Sequence, residues 1–384
     1  MSTLKALGKG IAVMAFASMI GGSPAAAGTF VYVSNAEDGD ISVYTLQPDG
    51  TLTQGTRVPV AKVVMPMAVS PDRRFLYAGV RSKPYAVHVY SINPSTGALT
   101  PLAVSPLAES FPYIALDKTG RYLLGASYSA HLISVNAVGA DGRVAADPLQ
   151  VIPVGRNAHS IRTDESNSFV FVPTLGTDQL FLFTFDPKSG RLQSNTPSTY
   201  LMKAGTGPRH FVVSSDNKFI YVLSELQATV TTLALDSKTG TLTEVSTTSG
   251  LPADTKLGPG APRGGAVGPG GPPPRNTDND IWAADIHMTP NGKFLYITER
   301  TSSSLGALSV DGATGKTTYL GSTPTEKQPR GFAIDPKGQF LIAAGEKSDT
   351  ISVYAIDGSS GALKLLQKYP VGKGANWVEI VSFD

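Results

Sequence analysis

No cysteine occurs in the chain, so neither disulfides nor thiolate metal sites are open to it. Charge of one sign is also missing: 32 basic residues face 30 acidic ones. A balance this close argues against nucleic acid or an anionic membrane as partner. Long apolar runs are absent too, since the stretch Ile11–Ile20 falls short of the ~20 residues that cross a bilayer. Lys5 and Lys9 precede that stretch and Pro24-Ala-Ala-Ala27 follows it, which together read as a secretory signal peptide cut after Ala27. Removing residues 1–27 takes away those two lysines and no acid, leaving a neutral mature chain, expected in the periplasm without membrane insertion.

What the chain does have is a repeat. Aromatic anchors stand at Phe30, Phe75, Tyr122, Phe169, Phe219, Phe294 and Phe340, with gaps of 45, 47, 47, 50, 75 and 46 residues. A four-stranded β-propeller blade takes ~40–50 residues. A glycine-ended turn recurs seven times at the same period, at Gly50, Gly97, Gly142, Gly190, Gly240, Gly315 and Gly361. A second turn, just before the anchor, occurs six times, as in Asp117-Lys-Thr-Gly120 and Pro336-Lys-Gly338. The seventh belongs to the gap between the chain ends, so Trp377–Phe383 is expected to form the innermost strand of the blade whose other strands lie in residues 29–58. The reading is all-β: one domain over residues 28–384, a seven-bladed propeller closed by its termini, expected to be a monomer. The 75-residue gap holds an insert, Gly250–Asn279, whose Pro and Gly content reads as a loop that packs no core. It should emerge on the face of the candidate site.

Counting back from each anchor gives seven equivalent inner-strand starts: Met65, Pro112, His159, Arg209, Ala284, Arg330 and Asn376. Counting six residues forward gives Ala36, Arg81, Tyr128, Leu175, Glu225, Arg300 and Glu346. Adjacent antiparallel strands place both rings at one mouth of the central channel. His159, Arg209, Glu225, Arg300, Arg330 and Glu346 therefore converge where a ligand would sit, and this convergence makes the candidate site. Asp285, His287 and His210 are further polar candidates for substrate binding and leave a divalent metal open, although dispersed N and O donors do not define a site. Ser215-Asp-Asn-Lys218 and Lys238-Thr-Gly240 imitate serine-enzyme motifs but fall at repeat turns. Gly125-Ala-Ser-Tyr-Ser129 misses the nucleophile elbow. Trp282 and Trp377 read as packing residues near the channel.

Gly207-Pro-Arg-His210, Tyr221-Val-Leu-Ser-Glu225, Trp282-Ala-Ala-Asp-Ile-His287, Tyr296-Ile-Thr-Glu-Arg300 and Gln328-Pro-Arg-Gly-Phe332 resemble the seven-bladed propeller lactonase family. That family holds propeller-type 6-phosphogluconolactonases and carboxy-muconate lactonising enzymes. The resemblance runs over residues 29–384 and implies lactone chemistry without a cofactor. It also implies a site of His159, Arg209, Glu225 and Arg300. Glu225 would take a proton from water, the two guanidiniums would hold the oxyanion, and His159 would protonate the departing ring oxygen; the Glu and His roles are exchangeable. The two tryptophans are too few for the repeated docking motif that quinoprotein dehydrogenases resemble one another in. A sugar lactone is the expected small-molecule partner. The export signal favours glucono-1,5-lactone, with 6-phosphogluconolactone, carboxy-muconate and a non-enzymatic scaffold as alternatives.

Overall fold

A computed structural model of the protein describes residues 2–3, 28–263 and 276–383. The export signal expected within residues 1–27 thus lies outside the described residues, as does the middle of the insert, 264–275. The described residues form 28 strands in seven four-stranded antiparallel sheets, and no helix long and apolar enough to cross a membrane is among them. This is a seven-bladed β-propeller.

Second strands such as Phe75–Val80 and Phe219–Ser224 are buried along their whole length because neighbouring blades cover both faces. Fourth strands such as Leu52–Pro59 are largely exposed and carry the polar residues. The ring closes as the turn count requires: Ala375–Ser382 lies beside Thr29–Asn35, with Phe30 opposite Val381 and Tyr32 opposite Glu379. Val31, Val33 and Tyr44 then pack against Ile342, Ile351 and Val353 of the last blade, so first and last blades share one core cluster.

The anchors and the glycine turns, two separate periodic signals in the sequence, meet in space. A Cβ on Gly97 would stand 2.4 Å from the Phe30 ring, and one on Gly142 would stand 2.7 Å from Phe75. The seventh contact closes the circle, since a Cβ on Gly50 would stand 2.5 Å from Phe340. Gly97 and Gly50 have φ of +67° and +86°, where glycine alone is unstrained. A buried tyrosine two residues beyond the anchor reinforces the joint: Tyr32 Oη donates to Gly97 O at 2.9 Å and Tyr296 Oη to Gly361 O at 2.8 Å.

The insert departs from its expectation at both ends. Leu251 is buried with Ile281, Val230 and Ile297, and Leu257 packs on that cluster. Gly258 N donates to Asn279 O, Ile281 N to Gly258 O and Gly260 N to Leu226 O, each at 2.8 Å. Two leucines and three backbone bonds thus anchor a stretch whose glycine and proline content pointed to an unpacked loop.

Candidate active site

A β-bulge aims the key residue in several inner strands. In Pro208–Val213, Pro208 pairs with Ser224 but His210 with Leu223, which leaves Arg209 as the extra residue. In Pro329–Ile334 the same shift leaves Arg330 unpaired. Bulges bend the strand and re-aim a side chain, and here both turn an arginine toward the channel mouth.

A cavity of about 160 Å³ at that mouth is lined by His159, Glu225, Arg300 and Arg330 together with Arg81, Tyr128, Pro112, Trp282 and Arg263. Glu225 is its one carboxylate. Its Oε2 accepts from Arg209 Nε at 2.7 Å and from Arg300 Nη2 at 3.0 Å, and all three side chains are at most 5% exposed. Arg300 also donates to Trp282 O and Ala283 O, both at 3.0 Å. Arg209 is held by its neighbours on further sides, donating to Ala284 O and, at 3.0 Å, to His210 Nε2. Burial would raise the Glu225 carboxyl, but Arg300, Arg209 and Arg330 outweigh it and hold the group below the usual carboxylate range. Burial lowers Arg209 to about 10 and Arg300 to about 9, values at which both remain cations near neutrality.

His159 is 5% exposed, and its Nδ1 is buried with no hydrogen-bond partner. Its ring meets Tyr128 and His210 edge-on, at 5.5 and 5.2 Å between centroids. Burial, then Arg209, pushes its pKa well below the ordinary histidine value, so the imidazole is neutral at pH 7. Of the two exchangeable assignments the resemblance leaves open for Glu225 and His159, that environment suits the one in which His159 takes the first proton. A neutral imidazole can accept a proton.

The other expected contacts separate by depth. Inner strands run along the channel, and each step of two residues carries a side chain ~6.6 Å further from the mouth. His210 sits behind Arg209, away from the cavity lining, with its Nδ1 2.8 Å from Asp285 Oδ1. Because Arg209 donates to Nε2, His210 carries its proton on Nδ1 and donates it to Asp285. Burial and then Arg209 lower His210 to about 3, so this imidazole too is neutral. Asp285 Oδ2 lies 3.1 Å from His287 Nε2. Asp285 and His287 line a larger cavity, about 350 Å³, at the opposite end of the channel. Glu346 stands at the edge of the mouth, paired with Arg330 at 3.5 Å. His210, Asp285 and His287 thus stand away from the mouth cavity, by position behind or along the inner strands, whereas Glu346 stays beside the mouth through Arg330. Among the described residues no group of three or more His, Asp or Glu side chains is arranged to hold a metal ion.

Sequence reasoning missed Arg263, which comes from the insert. Its guanidinium stands 3.7 Å from the Trp282 ring centroid, as does that of Arg300, and its carbonyl accepts from Tyr128 Oη at 2.8 Å. Nothing periodic marks Arg263, because it belongs to no blade. Trp282 is part of the site wall as well as a packing residue. Arg81 occupies one of the ring positions; it donates to Ser110 Oγ at 3.1 Å, has no carboxylate partner among the described residues, and burial lowers it to about 10.

Residues 61–380 match the family model described as lactonase, 7-bladed β-propeller. A protein of Serratia proteamaculans named 6-phosphogluconolactonase is 39% identical over 352 residues, covering 92% of this chain and 98% of its own length. One of Pectobacterium carotovorum with the same name is 37% identical over 357 residues, covering 92% and 99%. Among solved structures, the periplasmic gluconolactonase of Pseudomonas aeruginosa superposes with a TM-score of 0.80 at 26% identity, covering 92% of this chain and 99% of that one. With seven blades closed by the C-terminal strand and relatives along nearly its whole length, the chain belongs to the seven-bladed β-propeller lactonase family and is a lactonase.

Proposed function

We propose that the protein hydrolyses 6-phosphogluconolactone at the mouth holding His159, Glu225 and Arg300. The observation that carries this is charge: Arg81, Arg263, Arg300 and Arg330 line one cavity whose sole carboxylate is Glu225. Guanidinium groups pair well with phosphate, and a dianionic substrate answers a site with such an excess of cations. The relatives named 6-phosphogluconolactonase support the same reading. Arg81 and Arg330, on the two blades that flank the closing one, are assigned to the phosphate.

The chemistry divides as follows. Water adds to the lactone carbonyl while neutral His159 takes its proton. Arg300, fixed by Glu225 and two backbone carbonyls, stabilises the developing oxyanion without having to reorganise. The imidazolium on His159 then returns the proton to the ring oxygen as the C–O bond breaks, giving a hydroxy acid. Phosphate close by raises the basicity of His159, which burial and then the arginines depress. Glu225, doubly ion-paired, orients Arg209 and Arg300 and is not the base.

A second reading has one observation behind it. The apolar run Ile11–Ile20 followed by Ala25–Ala27 suits export to the periplasm, where unphosphorylated glucono-1,5-lactone would be the substrate. The purified chain separates the two. Removing one charge-assisted contact is worth ~1.5–3 kcal/mol, or roughly 10- to 150-fold. Arg330→Gln should therefore lower kcat/KM for the phosphorylated lactone by that factor and leave the unphosphorylated one nearly unchanged. Equal losses for both, or faster turnover of the unphosphorylated lactone by the unaltered protein, would favour the periplasmic reading.

A further inference from the structure

The larger cavity lies at the far end of the channel, where the hydrogen-bonded line Glu225, Arg209, His210, Asp285, His287 terminates. Around it the charges are unequally satisfied. Asp285 is engaged by two histidines, and Lys118 is paired with Glu165 at 2.8 Å. Arg162 forms no direct ion pair among the described residues: it donates to Phe211 O at 3.5 Å, and Tyr113, Glu165, Glu379 and Asp285 favour its charge from nearby. Tyr113 stands beside it, its hydroxyl sharing a hydrogen bond with the Arg162 guanidinium. Glu379 accepts from Trp377 Nε1 at 2.8 Å through Oε1, which leaves Oε2 for the cavity. Burial pushes this carboxyl up to about 7, so near neutrality it can offer a proton as well as accept one.

We propose that this cavity is a second binding site, for a small hydroxy-carboxylate, with the carboxylate on Arg162, hydroxyls on Tyr113 and Glu379, and the Trp377 ring as a wall. A monoanion fits better than phosphate, because Asp285 and Glu379 would repel a second negative charge. Hydroxyl groups match a lining that mixes donors and acceptors with an aromatic face. The product of any sugar-lactone hydrolysis has this chemistry, and to that extent the choice of ligand rests on the family's reaction.

The chain has two tryptophans, and they line opposite cavities: Trp282 the catalytic mouth, Trp377 the far one. Trp282→Phe therefore leaves Trp377 as the only indole, a reporter of the far cavity alone. Titrating this variant with sodium gluconate should change its emission saturably. Adding Arg162→Gln should weaken the response at least tenfold, adding Arg330→Gln at the other mouth should preserve it, and glucitol and inorganic phosphate should be at least tenfold weaker than gluconate. An absent response, a response undiminished by Arg162→Gln, one abolished by Arg330→Gln, or an equal response to glucitol overturns the proposal. Should R162Q fail to fold, Tyr113→Phe carries the same test, with at least threefold weakening expected and none refuting the site. The readout is emission and not hydrolysis, so failure here and failure of the substrate assignment are distinguishable.

Discussion

Glu225→Gln separates a general base from a structural anion. In the folded protein the Glu225 carboxylate neutralises two guanidiniums whose side chains are 1% and 2% exposed. Glutamine keeps the shape and one acceptor oxygen but removes the charge, leaving Arg209 and Arg300 facing each other without a counter-ion. Breaking a buried ion pair by removing one partner costs about 3–5 kcal/mol, most of it from the uncompensated charge left behind. His159 offers the contrast, because its Nδ1 has no hydrogen bond to lose. His159→Gln should change stability by about 1 kcal/mol or less, yet lower kcat by ~10²–10⁴ if it transfers the proton. Urea unfolding and steady-state hydrolysis, corrected for the spontaneous rate, measure both quantities on each variant. Glu225→Gln should lose stability and activity together; His159→Gln should lose activity alone. A fully stable Glu225→Gln protein with kcat down a thousandfold would make Glu225 the base and refute the assignment, as would near-normal kcat in His159→Gln.

Gly50→Ala should destabilise the propeller by about 2–4 kcal/mol, combining a positive φ with a Cβ driven into Phe340; denaturant melts showing no loss would mean the closing joint yields. Burial of His210 gives a pH test: above ~6.5 it is neutral folded and unfolded, but below that the unfolded chain takes a proton the fold refuses, down to a folded pKa of about 3. Stability should therefore fall with pH across that window, and less steeply in His210→Gln. Glu379 acts in the opposite direction, since its folded pKa of about 7 exceeds the ordinary value of 4.5. Its ionisation opposes folding as pH rises between these values, so Glu379→Gln should match the unaltered protein near pH 4 and exceed it in stability at pH 8. Arg263→Ala, which removes the insert's guanidinium from the mouth, should raise KM for the phosphorylated lactone about tenfold or more with little change in melting; an unaltered KM would make the insert's reach into the site incidental.

Much of the fold was legible because a propeller repeats its solution seven times. Phe30, Phe75 and the other anchors mark each blade, and one missing inner turn exposes the shared blade at the termini. The same counting reached His159, Glu225 and Arg300, since equivalent positions in each blade face one mouth. Counting failed where geometry departs from the repeat. Residue type singled out Asp285 and His287 as candidates but says nothing about depth along a strand, and they line the cavity at the other end of the channel. Counting could not foresee the bulges that turn Arg209 and Arg330 inward, which are one-residue register shifts without a composition of their own. Arg263 was hidden in a stretch of glycine and proline, and only the fixed ends of that stretch explain how an insert contributes a cation. The contact of each anchor ring with a neighbouring blade's glycine joins two signals that the linear order keeps apart.

The central claim is that an arginine-rich mouth built around His159 opens a phosphorylated sugar lactone. Its most direct test is the initial rate of acid release from 6-phosphogluconolactone and from glucono-1,5-lactone by the purified chain, beside His159→Gln. The account predicts hydrolysis well above the spontaneous rate, a higher kcat/KM for the phosphorylated lactone, and loss of both activities in His159→Gln. Hydrolysis no faster than the spontaneous rate, or hydrolysis that survives the loss of His159, would contradict it.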